Sequence, residues 1–396
     1  MKNKILAMML GFILTFSTVI SVAADDETYD FDLEYLDLGP IDMYDNFEEC
    51  IDDDADATVL VSQRELLSDG LSASGLIGAA NANLVPVMTM DGKSSVDKNL
   101  LTTKDIYIVG GTRVITKELE NKLKKEGFNV KRLAGKDRYE TSYNVAKEVN
   151  RLSKVKSVAI VNGKNGEADA VSIASVAIKN KMPVIVTDGK KLNSNLSSVK
   201  TYAIGGNSVI SESLVKKTNA KRIGGKDRYE TNKKVIKEFY PNCDEFTVLE
   251  SDYIHRSFAV EAITDDQPIV LVSSKSDKSI LNNADELLFV YFENVHPNVE
   301  SSCIAAASGK GVYQAYENLF KKLKTNREDV CYTYNPKNNY VDKASLRRDY
   351  YIFNISDFYY ESGNIEFSDL DFNYLVNKKT MKIYTYGPDH ILRAVK

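Results

Sequence analysis

Between residues 57 and 240 the chain alternates two patterns: short, continuously apolar runs, and longer stretches whose apolar residues recur every three or four positions. Val158–Val161 and Pro183–Thr187 are runs of the first kind, the proline suiting a strand start, and Ala168–Lys179 between them has the helical period. A polar stretch to Lys200 follows, then a strand from Tyr202 to Ile204, a helix near Ser211–Lys217, a short strand through Arg222 and a helix to about Phe239. The preceding stretch reads the same way: Thr58–Ser62, a helix over Ser68–Ala82, Val85–Thr89, Ile106–Val109, a helix over Thr116–Glu126, and Val130–Leu133. Strands that are apolar throughout and separated by helices predict an α/β fold with a parallel-rich sheet covered on both faces.

One segment of this alternation recurs almost letter for letter. Arg132-Leu-Ala-Gly-Lys-Asp-Arg138-Tyr-Glu-Thr141 returns ninety residues later as Arg222-Ile-Gly-Gly-Lys-Asp-Arg228-Tyr-Glu-Thr231. Each copy is preceded by a strand-like run ending in two glycines, Ile106–Gly111 and Tyr202–Gly206, so the repeating unit is a whole supersecondary module. An eroded third copy is expected after residue 240. Phe246–Leu249 and Pro268–Val272 stand for its first two strands, and Cys303–Gly309 for the strand before the glycine pair. At the front, Asp42–Ile51 aligns with Asp137–Ala146, with Met43 where the repeats carry arginine.

From about Gly311 the texture changes. Val312–Lys324 reads as an amphipathic helix, and Val330–Tyr334, Tyr350–Ile355, Phe372–Val376 and Lys382–Tyr386 as tyrosine-rich strands, the last two joined by polar Asn377–Thr380. This predicts a separate helix plus antiparallel meander. The expected division is an acidic segment with a degenerate repeat helix over 25–56, repeat units over 57–150 and 151–240, a degenerate unit over 241–310, and a small C-terminal α+β domain of unknown role over 311–396.

Lys2 and Lys4 precede an apolar run from Ile5 to Val22 that closes on Val22-Ala23-Ala24, the layout of a removed signal peptide over residues 1–24. The alternative is an uncleaved anchor, since the run approaches the roughly 20 residues that a bilayer needs. No other stretch of the sequence is long enough to span a membrane. Cys50, Cys243, Cys303 and Cys331 are spaced too widely and irregularly for a disulfide framework and read as buried thiols.

A formal net charge of −5 hides a segregation. Residues 25–56 hold fifteen Asp plus Glu and no Lys or Arg, residues 57–240 hold 32 basic against 18 acidic residues, and residues 241–396 hold 17 against 23. The repeated region is thus the basic part of an acidic protein and suits a polyanionic partner, unless the acidic segment folds against it and cancels its field within a Debye length of about 10 Å.

In Gly135–Glu140 the glycine suits a positive φ, and Asp137 with Glu140 has the N-cap and N3 spacing of a capping box. That explains neither Lys136 nor Arg138, because a cation at a helix N-terminus meets the unfavourable end of the dipole, at about 0.3–1 kcal/mol. Each implies a partner: an acidic side chain of the neighbouring unit, which would make Arg138 a clamp, or an anion on a ligand. Lys226 and Arg228 repeat the problem. With Arg132, Arg222 and Arg113 they form the candidate binding set, as anion contacts or as struts that shape a groove. The turns at Gly110, Gly111, Gly205 and Gly206, each before a helix, either cradle an anion or simply reverse the chain. Asp69 and Asp169, with Ser72 and Ser172 three residues on, read as structural caps. His255, His296 and His390 lack metal-ligand spacing, and no nucleophile or phosphate-loop motif occurs, so no catalytic residue, metal or cofactor is assigned.

The two motifs together, Ile106–Gly111 with 132–141 and Tyr202–Gly206 with 222–231, resemble the clostridial cell-wall-binding repeat type 2 family, with Asp69, Asp169, Pro86 and Pro183 also in place. The resemblance covers roughly residues 35–310 and is close over 57–240. It implies tandem Toprim-like units packed about a pseudo-threefold axis, forming a non-catalytic module that holds a secreted protein on the Gram-positive cell wall by binding an anionic secondary polysaccharide. Other surface-layer proteins are further candidate partners, and nucleic acid is not, since the protein is expected to be exported. Met43, His255 with Arg256 near the third aspartate, and Ser308–Gly309 as a weak third glycine pair depart from the pattern and imply fewer binding sites. Two other readings stay open: adhesion or inhibition through the C-terminal domain with the repeats as tether, and an enzyme on anionic glycan, which would need a carboxylate or histidine cluster.

Overall fold

The computed structural model describes residues 31–37, 50–62, 70–192, 196, 199–256, 267–282, 284–291, 295–338, 341, 343–361 and 364–395. The expected signal peptide over 1–24, the aligned segment 42–49 with Met43, and Asp69 lie outside these residues, as do the side chains of His255 and Arg256.

After β1 (Asp32–Asp37), the chain runs through β2 (Ala57–Ser62), α1 (Ser74–Ala80), β3 (Ala82–Met90), β4 (Lys93–Ser95), β5 (Asp105–Val109), α2 (Lys117–Lys125), β6 (Asn129–Leu133) and α3 (Arg138–Leu152). The pattern returns as β7 (Ser157–Asn162), α4 (Glu167–Lys179), β8 (Val184–Thr187), β9 (Lys200–Ile204), α5 (Glu212–Thr218), β10 (Lys221–Ile223) and α6 (Arg228–Phe239). A third passage gives β11 (Glu245–Glu250), β12 (Ile269–Val272), β13 (Glu286–Tyr291) and α7 (Pro297–Ala307). The chain ends with α8 (Lys310–Leu323), β14 (Val330–Tyr334), α9 (Ala344–Asp349), β15 (Tyr350–Glu361), β16 (Asn364–Asn377), β17 (Ile383–Tyr386) and β18 (Leu392–Ala394).

The first sheet has the order β4-β3-β2-β5-β6 and the second β8-β7-β9-β10, parallel throughout except for the β4 edge. In both, strands two, one, three and four of the repeat lie side by side. The third sheet follows the same plan as β12-β11-β13, but its fourth place is taken by β1, parallel to β13 from Asp32 opposite Glu286 to Asp37 opposite Tyr291. The acidic N-terminal strand therefore joins the acidic third sheet and does not lie across the basic region. Tyr35 stacks on Phe289 with ring centroids 5.5 Å apart, and its hydroxyl donates to Glu300.

Cys303–Gly309 is not a strand. Pro297 at the start and a run of small residues, Ser301–Ala307, make it the second half of a buried helix, and the third strand is the apolar run Leu287–Tyr291.

The sheets share packing. One buried cluster joins Val59 of the first sheet and Leu249, Leu271 and Val290 of the third to Leu76 of α1 and Val171 of α4. Close approach of α1 to α4 depends on Gly75 and Gly78, where an added Cβ would come within 2.3 Å of Met182 O and 1.9 Å of Ile178 O. The helix after each cationic loop crosses to the next sheet and satisfies its edge strand. Val186 N–H donates to Ser142 Oγ at 3.0 Å, and Leu271 N–H to Asn232 Oδ1 at 3.0 Å, while Asn232 Nδ2 donates to Ile269 O at 2.8 Å. Both otherwise open sheet edges are thereby covered.

The C-terminal meander β14-β15-β16-β17-β18 is antiparallel as expected, but it is not separate. Tyr316 and Leu319 of α8 and Tyr332, Phe353 and Val376 of the meander share one buried cluster with Val248 of the third sheet. Arg327 adds polar ties, donating to Ser274 O at 2.9 Å and pairing with Glu317 at 2.8 Å while lying 4.2 Å over Phe320. Buried Asn298 of α7 donates to the carbonyls of Arg327 and Val330 and accepts from Tyr316 Oη. None of the four cysteines is joined in a disulfide, and all but Cys243 are buried. Among the described residues no helix is long and apolar enough to cross a membrane.

Candidate functional site

Each cationic loop is tied by the same local bonds. Asp137 Oδ1 accepts from Glu140 N–H at 2.9 Å and Glu140 Oε2 from Lys136 N–H at 3.1 Å; Asp227, Glu230 and Lys226 repeat this at 2.8 and 3.1 Å. The N-cap bond forms as the spacing predicts, while the glutamate reaches back one residue beyond the N-cap. Thr141 and Thr231, unassigned from sequence, accept from the N–H of Gly135 and Gly225 at 3.0 and 2.9 Å. Neither glycine has a positive φ. Each is glycine because a Cβ would lie 2.4 Å from the Cβ of Glu140 or Glu230.

Arg132 and Arg222 are struts. Arg132, 13% exposed, pairs with Glu120 at 2.8 Å and donates to Gly110 O at 2.8 Å and Thr116 O at 3.3 Å. Arg222, 19% exposed, donates to Gly205 O at 3.0 Å and Ile210 O at 2.9 Å and pairs with Glu212 at 3.1 Å. These bonds fasten the strand-four arginine to the glycine turn.

Burial alone would raise the Glu120 carboxyl, but hydrogen bonds from Lys117, Lys124 and Arg132 outweigh it and hold it at about 2. Because this lies below the ordinary 4.5, its stabilisation is complete above pH 4.5 and is lost as pH falls toward 2. Glu120→Gln is expected to cost about 2–4 kcal/mol at neutral pH. Urea unfolding at pH 6 and pH 3 should show the variant losing less stability on acidification than the parent.

The glycine turns serve packing more than ligand capture. The N–H groups of Gly110 and Gly205 donate to Leu133 O at 3.0 Å and Ile223 O at 2.8 Å, so the structure removes these two from the anion cradle. Both have positive φ, 123° and 127°, and a Cβ on Gly205 would come within 2.6 Å of Asp169 Oδ2. No acceptor among the described residues takes the N–H of Gly111 or Gly206.

Arg138 and Arg228 part company. Half-buried Arg138 donates to Gly163 O in the turn after β7, so it clasps the following sheet through a carbonyl and not through an acidic side chain. Arg228 is exposed and makes no ion pair among the described residues, although its charge acts on Asp169. The next residue supplies the clasp, Tyr229 Oη meeting Ser251 Oγ at 2.8 Å. Lys136, Lys226 and Arg113 are also exposed, without an ion pair among the described residues. Of seven cations proposed from sequence, four therefore face solvent without an ion pair among the described residues and three brace the scaffold.

Asp169 is buried at the start of α4, under the Gly205 turn. Burial raises its carboxyl to about 6, against the lowering effects of Arg228 and of the Thr231 hydroxyl. Among the described residues no group of three or more His, Cys, Asp and Glu is placed to hold a metal ion.

Tandem parallel α/β units, each closed by a capped cationic loop and clasped to the next, define a repeat-built binding scaffold. Residues 132–215 and 222–312 match the family described as cell wall binding domain 2 (CWB2), each match opening at the strand-four arginine. These two stretches thus carry the CWB2 repeat, a cell wall binding domain by its description. It is 29% identical over 243 residues to N-acetylmuramoyl-L-alanine amidase LytC of Bacillus subtilis, covering 58% of this chain and 46% of LytC. It is 32% identical over 195 residues to the amidase enhancer of the same organism, covering 47% of this chain and 27% of that protein. The chain thus spans less than half the length of these curated relatives. Among solved structures it resembles Cwp8 from Clostridium difficile (27% identity, TM-score 0.55, 74% of this chain and 52% of that one). It shares its fold with Cwp6 from the same organism (22% identity, TM-score 0.56, 78% and 54%).

Proposed function

We propose that this protein is exported and held non-covalently on the Gram-positive cell wall by binding an anionic secondary wall polysaccharide along its repeats, without catalysis of its own. The observation that carries this reading is a set of exposed cations without an ion pair among the described residues: Lys136, Lys226 and Arg228 in the stretches that match CWB2, and Arg113 just after the first glycine pair. The N–H groups of Gly111 and Gly206, without an acceptor among the described residues, are further donors for a polymer anion. The common strand order of three sheets, and a buried cluster shared by the first sheet, the third sheet and helix α4 of the second unit, support a Toprim-like, pseudo-threefold arrangement. The amidase and its enhancer share only part of their length with this chain, so no amidase activity is carried over.

Charge-assisted contacts of about 1.5–3 kcal/mol each, repeated along a polymer, give retention by avidity. Sedimentation with purified walls should show binding that weakens as salt rises. Lys226→Ala with Arg228→Ala should weaken it about tenfold or more while leaving the melting temperature nearly unchanged. Full binding by the double variant, or binding indifferent to salt, would count against the reading.

A further inference from the structure

We propose that the junction between the first and second repeats is a site for an anionic group of the polymer, built from Arg138 of the first loop and from Lys164, Lys190 and Lys191 on two turns of the second sheet. This rests on the anionic-polymer reading above and adds to it a place, and three lysines that lie outside the repeated motif. Asn162, the last residue of β7 and only 6% exposed, locks the turns together. Its Oδ1 accepts from Lys164 N–H at 2.8 Å and Asn165 N–H at 3.1 Å, and its Nδ2 donates to Val209 O at 2.6 Å in the turn after the second glycine pair. The turn after β8 closes against the same atoms. Gly189 O accepts from Ser211 N–H at 2.7 Å, and a Cβ on Gly189 would lie 2.0 Å from Val209 O and 2.6 Å from Asn162 Nδ2. All three turns leave the carboxyl ends of parallel strands, the side of an open α/β sheet on which ligands bind.

Arg138 reaches this place from the first repeat. Its Nη1 donates to Gly163 O, between Asn162 and Lys164, and its Nε and Nη2 make no bond among the described residues. The clasp thus fixes the guanidinium at the turn and leaves it donors for a ligand. Lys164, Lys190 and Lys191 are exposed, without an ion pair among the described residues. Two carboxylates stand in the same turns: Asp188, whose Oδ1 accepts from the N–H groups of Lys190 and Lys191, both at 2.8 Å, and Glu167, which opens α4. Four cations against two acids leave a positive excess that only the packing of one repeat on the next assembles. The second junction is built otherwise. Counted from Ser157 opposite Lys200 and from Glu245 opposite Glu286, Glu250 takes the place of Asn162, and Tyr229 makes the clasp there in place of the arginine.

The test measures binding of fluorescent dextran sulfate to the full chain at constant ionic strength, with neutral dextran as control. A triple variant, Lys164→Ala with Lys190→Ala and Lys191→Ala, is compared with a second triple that removes the same charge from other exposed positions, Lys122→Ala with Lys125→Ala and Lys216→Ala. Arg138 stays in place because it also clasps the sheets. The first triple should bind about tenfold or more weakly than the parent, and the second less than about threefold. Equal weakening by the two, showing that only overall charge matters, or undiminished binding by the first would overturn the inference. Should the first triple not fold, lysine acetylation of the parent decides: dextran sulfate shielding Lys164, Lys190 and Lys191 but not Lys122 supports the inference, and labelling unchanged by the polymer overturns it. Failure of the parent to bind dextran sulfate would instead remove the anionic-polymer reading, and this inference with it.

Discussion

A chain ending at Gly309 is expected to be recovered aggregated or without a cooperative melt. The residues removed include Tyr316, Tyr332 and Phe353, all fully buried, together with Leu319 and Val376 at the same level. Their partners are the third sheet and α7, whose Cys303, Ala305 and Ala306 are themselves fully buried. Losing a single large buried side chain costs about 2–5 kcal/mol, and a whole domain is stable by only about 5–15 kcal/mol, so losing several together exceeds what the third repeat can bear. Asn298 would also be left buried without the carbonyls of Arg327 and Val330. Soluble yield, gel filtration and circular dichroism against the full chain check this. A monomeric truncated protein melting within a few degrees of the parent would show that the C-terminal meander is a dispensable passenger after all.

Excision of residues 31–37 is expected to lower the melting temperature by roughly 10 °C, through a loss of about 3–6 kcal/mol. The strand supplies the whole β1–β13 ladder, the Tyr35 stack on Phe289, and apolar contacts from Leu33 and Leu36 to two different clusters. Its absence leaves β13 as an open edge, with Glu300 deprived of the Tyr35 hydroxyl. A synthetic peptide of residues 31–37 added in excess should recover part of the loss. Thermal melts with and without peptide measure it, and an unchanged melting temperature would mean that the strand is ornamental.

The alternation of apolar runs and helical periods made most of the first two sheets legible, because buried parallel strands need no polar face and each is bounded by a glycine, a proline or a cap. The same holds for the N-cap bonds, which are local. What stayed hidden depends on partners far away in sequence. Asp32–Asp37 lies in the acidic segment, for which no strand is expected from sequence, and it becomes one with β13 beside it. Gly75 and Gly78 look like weak helix residues, and only the backbone of Met182 and Ile178 pressing on them explains their size. The candidate site divided for a similar reason: Arg132 and Arg138 sit on identical motif letters with Arg222 and Arg228, yet which of them is free depends on whether a carbonyl such as Gly163 O comes within reach from the next unit. Leu287–Tyr291 carried a strand signal throughout; the small residues around Cys303 drew the assignment away from it.

Most repeat arrays grow by adding copies, since each unit touches only its neighbours and the ends need nothing but a polar cap. Here the final sheet borrows its outermost strand from the beginning of the polypeptide. A duplicated module inserted between the second and third would have to displace that borrowed strand or lengthen its reach, so topology resists a change in copy number.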